Sequence, residues 1–221
     1  MLGQVSIRLC TMAVGSQRVL TPYDIQERLW PLWSAQERFM EVKMTASSAP
    51  TSAAAVANAF LDIQSWDPAK GSFPPIDQMK LYKLVYYAQA WWLAHTGVPL
   101  FEEDIKAWPW GPVVSDLYGH FKSAGRQPIQ EQRATVLTKS SGGYTYAEPP
   151  QPDQRVMNFL RSVWETHKGF SGVALSNATH EKGEPWTIVN ELHNENLSGK
   201  PLIPVELIRD VFKGKLVASA A

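Results

Sequence analysis

The stretch between Asp77 and Gly97 constrains this chain more than any other. Leu81, Leu84, Val85, Ala88 and Trp92 recur at helical spacing, while Tyr82, Tyr86, Tyr87, Trp91 and Leu93 fill the other faces. A helix that is apolar nearly all round has to be surrounded by the rest of the fold. Asp77 supplies an N-cap, Gly97 suits the left-handed position that ends a helix, and Pro99 blocks any continuation. Burying even one of its aromatic rings removes ~150 Å² or more from water, several kcal/mol at ~25 cal/mol per Å².

The elements around this helix follow from the same signals. Ala53, Val56, Ala57, Phe60 and Leu61 form one apolar stripe, so ordered structure is expected to begin at Thr51 or Ser52. Pro112 opens a helix with Val114, Leu117, Tyr118 and Phe121 inward and Gly125 as its stop. Asp153 caps another through Val156, Phe159, Leu160, Val163 and Trp164, ending at Gly169. Ser171 caps a short one carrying Val173, Ala174, Leu175 and Ala178, and Pro204 starts a last one through Leu207, Ile208, Val211 and Phe212. From Pro99 to Val113 the prolines and Gly111 forbid a continuous helix, which predicts a fixed, extended or turning segment. Between Arg126 and Pro152 the helical period lapses, and β-prone runs at 134–138 and 144–147 flank Gly142 and Gly143 as in a β-hairpin. The expected fold class is mainly α: a compact helical domain with a central apolar helix and a small β-hairpin. Residues 51–215 are expected to form the domain, with 216–221 a tail and 1–50 an N-terminal extension. In that extension Thr21 and Pro22 could open a helix that Pro31 breaks, and Met44 is an alternative start.

Several function classes find no support in the composition. Lys+Arg and Asp+Glu both number 21, so no net field draws nucleic acid or an acidic membrane, and nucleic acid is disfavoured as a partner. Cys10 is the single cysteine, which excludes an intrachain disulfide or a cysteine-built zinc site and fits a reducing, cytoplasmic setting. The sequence has no membrane-length apolar run. The histidines His95, His120, His167, His180 and His193 form no pair at i, i+4 around a glutamate. No glycine loop of the phosphate-binding kind and no nucleophile elbow occurs, so no cofactor is expected. Glu102, Glu103 and Asp104 read as a solvated acidic face. Lys80 and Lys83 read as side chains whose stems snorkel to the edge of an aromatic core.

Beside these exclusions stands a positive signal. Lys80, Leu81, Lys83, Leu84, Tyr86, Tyr87, Ala88, Gln89 and Trp91 form one run. About twenty residues later comes Trp110-Gly111-Pro112-Val113, and Thr179-His180 and Pro185-Trp186 follow. In this order the motifs resemble the Panacea domain of SocA-like antitoxins over about residues 53–213. Tyr82 stands where that family often has glutamine, and Trp110 where it often has tyrosine. The resemblance implies an antitoxin of a toxin–antitoxin pair that binds and neutralises a cognate protein toxin, without enzyme activity. It also implies a possible adaptor role, delivering the toxin to a ClpXP-type protease.

The expected toxin-binding residues are Glu103, Lys106, Trp108 and Trp110, because a rigid aromatic loop is a good carrier of binding energy. Residue type alone favours the opposite for the two tryptophans, namely burial as wedges. Two other readings stay open. One is a DNA-binding autoregulator of its own operon. The other is an undetected enzyme in which His180, Glu181 and Glu184 share a cleft.

Overall fold

The computed structural model describes residues 51–219, so the expected helix after Thr21 and the alternative start at Met44 lie outside the described residues. The described elements are seven α-helices and two antiparallel hairpins, a mainly α fold. The helices are α1 (Ala53–Trp66), α2 (Gln78–Thr96), α3 (Ser115–Phe121), α4 (Gln154–His167), α5 (Gly172–Ala178), α6 (Pro185–Leu192) and α7 (Val205–Ser219). The hairpins are β1 (Ile105–Trp108) with β2 (Gly111–Val114), and β3 (Val136–Ser140) with β4 (Gly143–Ala147).

Helix α2 is the axis of the molecule, and α1, α4, α5, α7 and β2 pack against it. Leu81, Leu84, Val85 and Ala88 have no exposed surface, and its ends are those that the sequence announces. Asp77 accepts a hydrogen bond from the Lys80 N–H, and Gly97 closes the helix at φ 75°. Ser52, Asp153 and Ser171 cap α1, α4 and α5 in the same way. Gly172 opens α5 in the one place where α5 can meet the start of α2. A Cβ there would lie 2.6 Å from the Lys80 backbone N and 2.7 Å from Asp77 Oδ1.

The structure departs from the sequence reading in several places: Pro112 lies within β2, the helix expected to open there begins at Ser115, and Tyr118, expected inward, is 41% exposed. The segment around Trp108 and Trp110 is a true hairpin whose outer strand also meets residues 201–203: the Ala107 N–H donates to Pro201 O, and the Ile203 N–H to Ile105 O. Pro185 starts a full helix, α6, where the pattern shows only a polar stretch. Lys80 and Lys83 do not snorkel at all; both are buried to the ammonium group, 0% and 1% exposed. An ammonium can stay inside when backbone carbonyls replace water, and Lys80 Nζ has two, Pro74 O at 2.6 Å and Lys168 O at 2.7 Å. The faces of Trp164 and Phe73, 5.2 and 5.8 Å away, add cation–π attraction.

Hairpin β3–β4 stands apart from this core. Leu137, Tyr144 and Tyr146 are 56%, 73% and 72% exposed, and the arm meets the body through the partly buried Val136 at its base.

Candidate functional site

The β1–β2 turn is where the motif residues meet. Pro109 fixes φ at the first central position, Trp110 follows, and Gly111 turns the chain back at φ 100°. Three alternate carbonyls of this short tip are each held by a side chain from a different helix. Trp186 Nε1 of α6 donates to Trp108 O at 2.8 Å, Ser176 Oγ of α5 to Trp110 O at 2.7 Å, and Lys83 Nζ of α2 to Pro112 O at 3.0 Å. The backbone is thereby fixed from below while the Trp110 ring points into solvent, 70% exposed. Its burial as a wedge, which residue type favoured, is thus corrected, because every inward position of the turn is already taken by a donor side chain.

Gly111 sits where a side chain would be strained. A Cβ there would sit 2.6 Å from Lys83 Nζ and 2.7 Å from Thr179 Oγ1, quite apart from its left-handed φ. Thr179, itself without exposed surface, donates to Ser176 O at 2.7 Å and so ties off the end of α5 beside the tip. The His180 ring stacks on Trp186 at 3.9 Å, which fixes the indole that holds Trp108. Burial, followed by the nearby Lys83, pushes the His180 imidazole below its usual pKa. Lys83 has one carbonyl for a fully enclosed ammonium, and burial pushes it down to about 7. Buried without a hydrogen-bond partner among the described residues are Trp108 Nε1 on the turn itself, Ser115 Oγ just after β2, and His180 Nε2.

Trp108 is half-buried at the root of the turn. Lys200 Nζ lies 3.7 Å above its ring and the ring of the 41%-exposed Tyr118 is 5.0 Å away. Lys106 is half-buried on β1 with no ion-pair partner among the described residues. Glu103 is engaged within the molecule, where its Oε1 accepts from the Ala53 N–H at 2.8 Å and places a carboxylate at the positive end of α1. The structure therefore sets Trp108 and Trp110 at the root and tip of one turn and gives Glu103 an intramolecular partner.

The other motif residues hold loops or fill the core. Gln89 grips the segment after α2 on both sides of its amide. Nε2 donates to Phe101 O at 2.9 Å, and Oε1 accepts from the Leu100 N–H at 2.8 Å. Tyr87 stacks on His167 at 4.7 Å, and Trp91 meets Phe212 edge-on at 4.9 Å. Leu81, Leu84, Ala88 and Val113 are core, and Pro185 is the first residue of α6. Sequence reasoning missed Ser176 and Lys200, since a lone serine in a short helix and a lysine in a polar loop carry no local signal of their partners.

The rival enzyme reading needs His180, Glu181 and Glu184 in one cleft. Glu181 is exposed, Glu184 pairs with Lys215, and His180 stacks on Trp186, so the three face different partners. Among the described residues no His/Cys/Asp/Glu cluster is arranged to hold a metal, and no helix is long and apolar enough to cross a membrane.

Comparison with known proteins agrees with this geometry. The family model for the antitoxin SocA-like Panacea domain matches residues 81–187, which takes in every residue that holds the turn. Antitoxin SocA of Caulobacter vibrioides (strain NA1000 / CB15N) is 30% identical over 175 residues, 79% of this chain and 89% of its own length. No solved structure matches. An identity of 30% over most of both chains, together with the family model matched at residues 81–187, places this chain in the SocA-like, Panacea-domain antitoxin family.

Proposed function

We propose that this chain neutralises a cognate protein toxin by direct binding, with Trp110 as the central contact and Trp108, Tyr118 and Lys106 around it. The observation that carries this reading is a tryptophan 70% exposed on a backbone that three helices immobilise. Large apolar side chains are normally hidden, and a rigid exposed aromatic is the typical anchor of a protein interface because little entropy is lost when it docks. Co-expression with a toxin encoded beside the gene is the test. Growth should be rescued by the wild-type chain and not by Trp110→Ala, and the two proteins should co-purify only with Trp110 intact. A toxin that stays lethal beside the wild-type chain refutes the reading for that pair.

Delivery of the bound toxin to a ClpXP-type protease requires a second free surface, and arm β3–β4 supplies one with Tyr144 and Tyr146. In a degradation assay, changing both tyrosines to serine should slow toxin turnover while leaving toxin binding intact. Equal turnover with and without the tyrosines removes the arm from that role.

A further inference from the structure

A second surface lies beyond the far end of the β1–β2 hairpin. After Ile105 pairs with Ile203 the two stretches of chain diverge, and between them opens a groove of about 290 Å³. Its floor is apolar, with Phe101, Ile105, Ile203 and Ile208 all buried, and its lip exposes Leu202 and Val205, 50% and 36%. Around that floor stand Glu102, Glu103, Asp104 and Glu206. Glu103 is engaged by the start of α1, but Glu102, Asp104 and Glu206 form no ion pair among the described residues. The cations facing this region are Lys106, opposite Leu202, and Arg209, one turn beyond Glu206 and paired with Asp210. The carboxylates on the rim thus outnumber the cations beside them.

The backbone at this lip is also open. In the pairing with β1 the flanking hydrogen bonds are Ala107 N–H to Pro201 O and Ile203 N–H to Ile105 O, so Leu202 is the position whose N–H and C=O point away from β1. Neither group has a partner among the described residues.

We propose that the groove binds a short extended segment of a partner protein carrying alternating basic and apolar side chains. The segment lies in the groove between the two stretches of chain, with its apolar side chains on the Phe101–Ile105–Ile203 floor and its cations against Glu102, Asp104 and Glu206. Charge complementarity selects this occupant: an acidic segment meets repulsion from the exposed carboxylates of the rim, and a neutral one gains nothing from them. The volume, at the lower end of the ~300–1,000 Å³ of small-molecule sites, suits a few side chains and not a cofactor. This surface lies at the other end of the hairpin from Trp110, with Lys106 between the two, and does not depend on what the Trp110 face binds.

The test is an NMR titration of the full chain with two synthetic peptides, acetyl-Arg-Leu-Lys-Leu-Arg-amide and its acidic counterpart acetyl-Glu-Leu-Glu-Leu-Glu-amide. The basic peptide should shift the amide resonances of Ile105, Leu202, Ile203 and Glu206 saturably. Its affinity should fall at least tenfold in E102K/D104K, a pair of exposed positions whose change should leave Tm unaltered, and should fall as salt rises. Glu206→Lys should weaken it in the same direction. No saturable shift at millimolar peptide, equal response to the acidic peptide, or shifts centred elsewhere overturns the proposal. So does a change of the same resonances on dilution of the chain alone, which would assign the groove to a second copy.

Discussion

At the scale of single residues, exposure and support are divided between neighbours. Trp110 carries the exposed ring and Gly111 the close approach beneath it. Trp110→Ala should therefore change the stability of the free protein by less than about 0.5 kcal/mol, as surface changes do. It should also weaken partner binding by about 2 kcal/mol or more, roughly thirtyfold. Calorimetric unfolding and a binding titration on the same sample separate the two effects. Gly111→Ala should do the reverse, costing about 3 kcal/mol in denaturant unfolding because the new Cβ meets Lys83 and Thr179 in a left-handed backbone. For these two neighbours, sequence pattern showed Gly111 only as a bar to a continuous helix and left the exposure of Trp110 open. A tryptophan in a motif is equally suited to core and surface, and which it takes depends on donors that arrive from Ser176 and Trp186, far along the chain.

At the scale of elements, the hairpins differ in how they are held. The β1–β2 tip hangs on side-chain hydrogen bonds from three helices, so the loss of one donor should loosen it without unfolding the rest. Trp186→Phe keeps the ring that stacks on His180 and removes only the N–H to Trp108 O. A loss of about 1–2 kcal/mol is expected, with faster amide exchange at residues 108–111 than in α2. The β3–β4 arm, by contrast, pairs mainly with itself. Since Val136 pairs with Ala147, an Asn-Gly turn can replace everything between them. That deletion should cost less than about 1 kcal/mol in urea unfolding, because an isolated two-stranded ribbon is itself marginal. The arm was legible in the sequence from its β-prone runs and glycines, to within a few residues. The β1–β2 hairpin was not, because Pro109 and Pro112 masked strands only four residues long.

At the scale of the whole molecule, helical periodicity and caps sufficed to place α1, α2, α4, α5 and α7, since each stripe and each cap is local. They could not show that Lys80 and Lys83 are interior, because the carbonyls that accept them belong to Pro74, Lys168 and Pro112. This burial makes stability depend on pH in a defined direction. Burial holds Lys83 at about 7 and Lys80 at about 8, against 10.5 for a free lysine. From about pH 7 up to 10.5 the unfolded chain binds protons that the folded chain has released, so folding should strengthen as pH rises. Tyr82 is pushed up to about 12 by burial, and Tyr86 and Tyr87 are also raised, so above pH 10 the unfolded chain loses protons first and stability should fall. His167, held at about 4 by burial, adds a loss as pH drops from 6.5 towards 4. A Tm series across pH should peak near pH 10, and Lys83→Met should flatten its rise above pH 7.

The donors that fix the Trp110 pose lie on both sides of it in the chain, Lys83 29 residues before Pro112 and Trp186 78 residues after Trp108. During synthesis the tryptophan therefore leaves the ribosome long before its last support does. On the reading proposed for Trp110, a copy whose α6 has not yet docked lacks one of the three supports of the turn and should bind its partner less tightly than a complete one.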